Sequence, residues 1–319
     1  MANASSANNC NTKSYENPYA YIENDASFAS PTVSHYESLK RARITESRLL
    51  LQNQLAYADE NGGCSEAEMI QTKVNSYLDA SSKTLPISNK SKKNSYTEFE
   101  IEEIVQKIHQ KIWRLRDEIW LDSVPKNPVD MLDPVIGLRM YGYDFDVPET
   151  LGQYRKNGSL IEVAGIIDNN LKSVSISGQF SFNTRNFTAA HELGHAVLHE
   201  ANGVHRDKPL DGASFAKEAI EYQADHFAKY YLMPQKLLRN IFKSLFLTDS
   251  FTLNESTAFA LYAGSNVNID ERYKSLRDLS RMLASTNSYN GTRFPSLATQ
   301  FKVSTEAMAI RIEELNLIS

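Results

Sequence analysis

Residues 191–199 read HELGHAVLH, placing three of the chain's seven histidines and a glutamate within nine positions. At 3.6 residues per turn, His191 and His195 lie one helical turn apart and project in the same direction. Zinc takes imidazole nitrogens at ~2.0–2.1 Å, and a pair at i, i+4 can converge on one ion. Glu192 sits one residue round from His191, beside the metal position without occupying a ligand position, where a general base is required. The competing reading is a packed helix with apolar Leu193, Ala196, Val197 and Leu198, its histidines satisfied by neighbours. His-Glu-x-x-His should arise in about one shuffled chain of this composition in a hundred, so the motif needs a third ligand to decide the matter.

Twenty-six residues beyond His195, within EAIEYQADHFAKYYLMP (218–234), lies Glu221. Glu221 and Asp225 are again at i, i+4, while Ala224, Phe227, Ala228 and Leu232 supply an apolar face for packing on the histidine helix. A carboxylate from this second helix would complete three protein ligands, the number found in catalytic rather than structural zinc sites. Asp225 could then hold the other ring nitrogen of a ligand histidine and fix its tautomer. Glu218 competes with Glu221 for the ligand position. Five of the seven histidines fall between 191 and 226, against the packed-helix reading.

The histidine helix is expected to start at Thr188 or a nearby Asn and to stop at Gly203. Ahead of it, the segments VIGLRMYGYDFDV, LIEVAGIID and KSVSISGQF read as short strands, with Asp168-Asn169-Asn170 as a turn. SVSIS (173–177) reads equally as a sheet edge offered to an extended peptide or as an ordinary strand. Upstream again, Thr97 and Glu100 form a capping box before a helical series from Phe99 to Ile119, closed by Pro125 and Pro128. His109 lies inside this helix without ligand-spaced neighbours and reads as a surface or packed histidine.

The 319-residue length fits roughly two domains. A net charge of −5 and a pI near 5.9 give no bulk attraction to nucleic acid or anionic lipid. Two distant cysteines, Cys10 and Cys64, are too few for a disulfide framework or a thiolate zinc site. Residues 1–30 lack a basic segment followed by an apolar one, and no run approaches a membrane span, so a cytoplasmic protein is expected. Residues 1–38 read as a disordered arm. Residues 39–96 read as a helical extension with helices broken at Gly62-Gly63, ending in a Lys-rich linker at 81–96. There is no internal repeat, phosphate loop or Gly-x-Ser-x-Gly turn.

The stretches RNFTAAHELGHAVLH (185–199) and EYQADHFAKYYLMP (221–234) resemble the ImmA/IrrE family of metallo-endopeptidases, gluzincin-like proteins of bacteria and their mobile elements. The family pattern runs Phe-Thr-x-Ala-His-Glu-x-Gly-His, then Glu-x-x-Ala-Asn/Asp-x-Phe-Ala and Leu-Met-Pro. Tyr231 departs from it, where leucine is usual. The resemblance spans roughly 97–245 and implies His191, His195 and Glu221 as Zn2+ ligands, with Glu192 as catalytic base. It implies peptide-bond hydrolysis, with a transcriptional repressor or antitoxin-like regulator as protein substrate. His199, Tyr222, His226, Tyr230 and Tyr231 are the candidates for stabilising the oxyanion, with an outer packing role favoured for His199.

The C-terminal SLATQFKVSTEAMAIRIEELNLIS (296–319) resembles a helix-turn-helix, turning at Lys302-Val303, with Ser304 capping the second helix. Its core would comprise Ala298, Phe301, Val303, Met308, Ile312 and Leu315, leaving Glu306, Glu313 and Glu314 against Arg311 on the outer side. Residues 270–319 hold seven Lys/Arg and six Asp/Glu, a net of +1 that is too small for a phosphate-binding face. A structural or partner-binding role is therefore favoured over nucleic-acid binding. The resulting expectation is an α+β fold, mostly helical, with a small sheet packed on the HExxH helices (97–245) and a helical C-terminal domain (246–319). The alternative is a non-catalytic metal-binding regulator acting through its C-terminal module on DNA or a partner.

Overall fold

The computed structural model of the chain describes residues 95–121, 124–156, 159–199, 204–206, 215–262 and 275–319. The arm and helices expected over residues 1–94 lie outside them. The described residues form a mixed α+β fold in which small sheets flank a mainly helical core.

Helix α1 (Glu98–Arg114) carries the expected capping box, with Thr97 accepting from the Glu100 amide and the Glu100 side chain accepting from the Thr97 amide. A one-turn α2 (Arg116–Ile119) and a 3-10 turn (Pro128–Met131) follow, so the long helix ends well before Pro125. The segment beginning at Val135, expected as a strand, is instead helix α3 (Pro134–Met140), and only Asp144–Asp146 forms a strand, β1. Asp133 caps that helix by accepting from the Val135 amide, and Pro134 occupies its first turn, where the missing N–H costs nothing. Burial on nearly every side leaves α3 without the polar stripe that marks a helix in a sequence.

LIEVAGIID divides in two. Strand β3 (Ser159–Glu162) pairs with β2 (Gln153–Lys156) as an antiparallel ribbon, and β4 (Gly165–Asp168) enters the main sheet. That sheet runs β1-β5-β4-β6, with β5 at Ser173–Ile176 and β6 at Val204–Arg206; β1 is parallel to β5 and the other pairs are antiparallel. Asp168 accepts from the amides of Asn170 and Leu171, making the expected turn. β5 lies between β1 and β4, so SVSIS is an interior strand and its edge reading fails.

The histidine helix α4 spans Phe182–Leu198, starting about two turns before the Thr188 cap and ahead of the nearby asparagines that were the alternative. Ser181 caps it, accepting from the Thr184 amide, whereas Thr188 is mid-helix and bonds back to the Thr184 carbonyl. The helix stops at Leu198, before Gly203. It is buried on nearly all sides, and small residues permit that: β4, α3 and α5 (Phe215–Leu232) each approach closely. At Gly194 an added Cβ would lie 3.1 Å from the Ala224 Cα and 3.2 Å from its carbonyl oxygen. These are atoms of the helix α5 backbone and cannot swing aside.

Two opposing effects set the outcome of Gly194→Ala. Helix propensity favours alanine by about 1 kcal/mol, while overpacking of a tight contact costs about 1–3 kcal/mol. Net destabilisation is expected, greater for Gly194→Val, with a parallel fall in metal affinity because α4 and α5 carry the expected ligands. Urea unfolding of metal-free protein and chelator competition measure the two effects.

Beyond α5 come α6 (Gln235–Phe246), α7 (Glu255–Tyr262), α8 (Leu276–Ser285), the β7–β8 hairpin (Ser288–Tyr289 and Thr292–Arg293), α9 (Leu297–Phe301) and α10 (Thr305–Glu314). Lys302 adopts a left-handed conformation at the α9–α10 turn, and Ser304 caps α10. Ala298, Phe301, Val303, Met308, Ile312 and Leu315 are buried as expected, and belong to the same apolar cluster as Ile101, Leu193 and Phe227. The outer acidic face does not materialise. No residue from Thr305 to Leu315 is exposed, Glu306 and Glu313 are gripped by Arg277 of α8 at 2.6 and 2.7 Å, and buried Arg311 donates to the Met233 carbonyl. Opposite charges from a neighbouring helix thus cover carboxylates that look solvated when α10 is read in isolation.

Candidate metal centre

The centre forms where α4 and α5 cross. His191 Nε2 and His195 Nε2 lie 2.9 Å apart, and Glu221 Oε2 is 3.4 Å from the first and 3.6 Å from the second. Tetrahedral ligands at the usual zinc distances should be separated by about 3.3 Å. The three donor atoms therefore fit one divalent ion, and their two-nitrogen, one-oxygen chemistry suits zinc. Among the described residues, this is the group of three or more His, Cys, Asp or Glu side chains placed to hold a metal. The Glu218 side chain lies outside the described set.

Each ligand histidine has a further partner on its other ring nitrogen. His191 Nδ1 is 2.8 Å from Asp225 Oδ1, as the i, i+4 spacing from Glu221 anticipated. His195 Nδ1 is 3.2 Å from His199 Nδ1. With Nε2 given to a metal, His195 carries its proton on Nδ1 and donates it to His199. Such partners fix ring orientation and raise ligand basicity. Asp225→Ala should weaken zinc binding by ~10–100-fold with little change in fold, which competition against a chromogenic chelator would read directly.

Glu192 is fully buried (0% exposed) and its carboxylate lies against β4. An added Cβ at Gly165 would lie 2.5 Å from its Oε1. The carboxylate thus lies against the β4 backbone, one residue along α4 from His191.

The tyrosine candidates are otherwise engaged. The hydroxyls of Tyr222 and Tyr230 donate to the two Glu98 carboxylate oxygens at 3.1 and 3.0 Å. Having given its proton to Glu98, the Tyr230 oxygen accepts from His226 Nδ1 at 3.4 Å, and His226 rests on the Tyr222 ring at 4.1 Å between centroids. Tyr231 donates to the Asp133 carbonyl. These groups tie α5 to α1 and α3. The structure thus brings together His191, His195, Glu221, Asp225 and His199, commits Tyr222, Tyr230 and Tyr231 to neighbouring helices, and packs His226 against Tyr222 and Tyr230 within α5.

Beneath this network, Lys229 and Glu314 pair at 2.8 Å, joining α5 to α10. Burial presses the Glu314 carboxyl upward, but Lys229 and Arg311 outweigh it and hold the pKa down at about 2. Burial lowers that of Lys229, against Glu314, which raises it.

Sequence reasoning missed Glu98 and Gly165. Glu98 sits in an ordinary acidic first turn and carries no distinguishing signal. Gly165 did carry one, since a glycine inside an apolar strand marks a close approach.

Residues 159–255 match the model of the peptidase M78 family, described as an IrrE N-terminal-like domain. No curated protein and no solved structure matches the chain.

Proposed function

We propose that this chain, an ImmA/IrrE-family protein by its IrrE N-terminal-like domain, is a zinc-dependent endopeptidase of the cytoplasm that cleaves a specific protein. The observation that carries this reading is the Nε2, Nε2, Oε2 triangle, on a helix whose next residue after His191 is the fully buried Glu192. A structural zinc site has no use for Glu192.

His191, His195 and Glu221 would hold the ion, with Asp225 and His199 orienting the two rings. Zinc, when bound, supplies a Lewis acid that acidifies water and polarises the scissile carbonyl. Glu192 takes the proton of the attacking water and passes it to the departing amine, so that one carboxylate serves as base and then as acid. A repressor or antitoxin-like regulator is the target class that the family resemblance implies.

Among the described residues, no helix is long and apolar enough to cross a membrane. The absence of any exposed residue along α10 counts against its entering a DNA groove. The test is co-expression of the full chain, or its Glu192→Gln form, with the proteins encoded beside it, followed by mass spectrometry of protein termini. New termini that appear with the wild-type chain and vanish with the Glu192→Gln form support the reading. A metal-loaded wild type yielding no Glu192-dependent termini overturns it for those partners, and a chain that binds no zinc overturns it altogether.

A further inference from the structure

The structure assigns to Gly165 the positioning of the Glu192 carboxylate: the bare backbone of β4 leaves the space that the base occupies beside the metal ligands. The inference rests on the peptidase reading above. An ideal Cβ at 165 would meet Glu192 Oε1 at 2.5 Å, Thr188 Cγ2 at 2.8 Å and Ile176 Cδ1 at 3.2 Å.

The backbone itself makes no demand for glycine here. Gly165 pairs with Ile176 in the antiparallel β4–β5 ladder, and among the described residues the glycines with positive φ are Gly142, Gly152 and Gly291. A residue in ordinary strand conformation loses stability by being glycine, because it restricts the unfolded chain least and packs no side chain. Space is therefore the reason that remains, and the space is filled by a carboxylate. His191 and His195 meet Glu221 of α5 and Glu192 meets Gly165 of β4, so the strand forms the wall against which the carboxylate rests. The nearest obstacle to a methyl group is the far end of a long side chain, not backbone. A methyl at 165 would therefore displace the base and leave the fold standing.

Thr188→Ser removes the second obstacle, Cγ2, while keeping the hydroxyl that bonds the Thr184 carbonyl, so it serves as the background for the test. Gly165→Ala is made in that full-length background, with Glu192 intact and with Glu192→Ala. Metal-free melting temperatures, zinc content and cleavage of a pool of internally quenched peptides of randomised sequence are measured. With Glu192 present, Gly165→Ala should lower the melting temperature, keep one zinc per chain, and reduce kcat by roughly 10–100-fold at nearly constant KM, since small misplacements of a reacting group cost rate. With Glu192→Ala the melting penalty should largely disappear. An equal penalty in both backgrounds, or an undiminished kcat, overturns the assignment. If zinc does not bind, or Glu192→Gln cleaves as fast as wild type, the peptidase reading falls instead. The melting comparison still decides whether Gly165 positions Glu192.

Discussion

Glu192→Gln is expected to abolish hydrolysis, by at least ~10³-fold in kcat, while leaving zinc content and melting temperature close to wild type. Glutamine has the same shape and length, so the packing against β4 persists. It cannot take a proton from water, nor hand one to a leaving amine. The ligand triangle does not include residue 192, so metal affinity should stay within a few-fold. Glu221→Ala should show the complementary pattern, losing metal and activity together. Zinc analysis after gel filtration, paired with the cleavage assay, separates the two. A Glu192→Gln protein that retains full activity would leave the flanking carboxylate without a catalytic role.

Acid is expected to destabilise the fold through His109. This side chain is 2% exposed, enclosed against the Tyr231 ring at 4.8 Å between centroids. Burial drives its pKa from 6.5 down to about 3, against a hydrogen bond to the Tyr231 backbone that raises it. The folded state therefore holds His109 neutral, while the unfolded chain takes up a proton once pH falls below 6.5. Its contribution is fully present above that value and is lost progressively as pH drops towards 3. The loss is about 2 kcal/mol at pH 5, with a ceiling of roughly 5 kcal/mol. In urea unfolding of metal-free protein, His109→Leu should thus show a smaller drop in stability between pH 7.5 and pH 5 than wild type. At pH 7.5 the variant should lie within about 1 kcal/mol of wild type, since a lost hydrogen bond is offset by apolar burial. Identical pH dependence in the two proteins would remove His109 as the acid-sensitive group.

The candidate metal centre was legible because its information is local. A helix repeats every 3.6 residues, so His191 with His195, and Glu221 with Asp225, declare a shared face without knowledge of anything else. Capping is local too, and Thr97 with Glu100 announced the start of α1. The same logic failed where burial was complete. Val135–Met140 offered no polar stripe to set its period, and the start of α4 was misplaced because several Ser, Thr and Asn residues close together could each have capped it and Ser181 is the one that does. The sheet order, too, is a matter of which strands meet, so nothing within SVSIS could show that β5 lies between β1 and β4.

By itself, the sequence determined which side chains share a helix face, and hence the candidate ligand pair His191 and His195, and the broad α+β class. Only tertiary structure decided which faces meet. It set the triangle between α4 and α5, the partner of Tyr222 and Tyr230 on α1, the coverage of the α10 carboxylates by Arg277, and the strand wall against Glu192. The physical reason is range: a helical turn fixes neighbours within about 5 Å along one segment, whereas contacts between segments depend on the packing of the whole core.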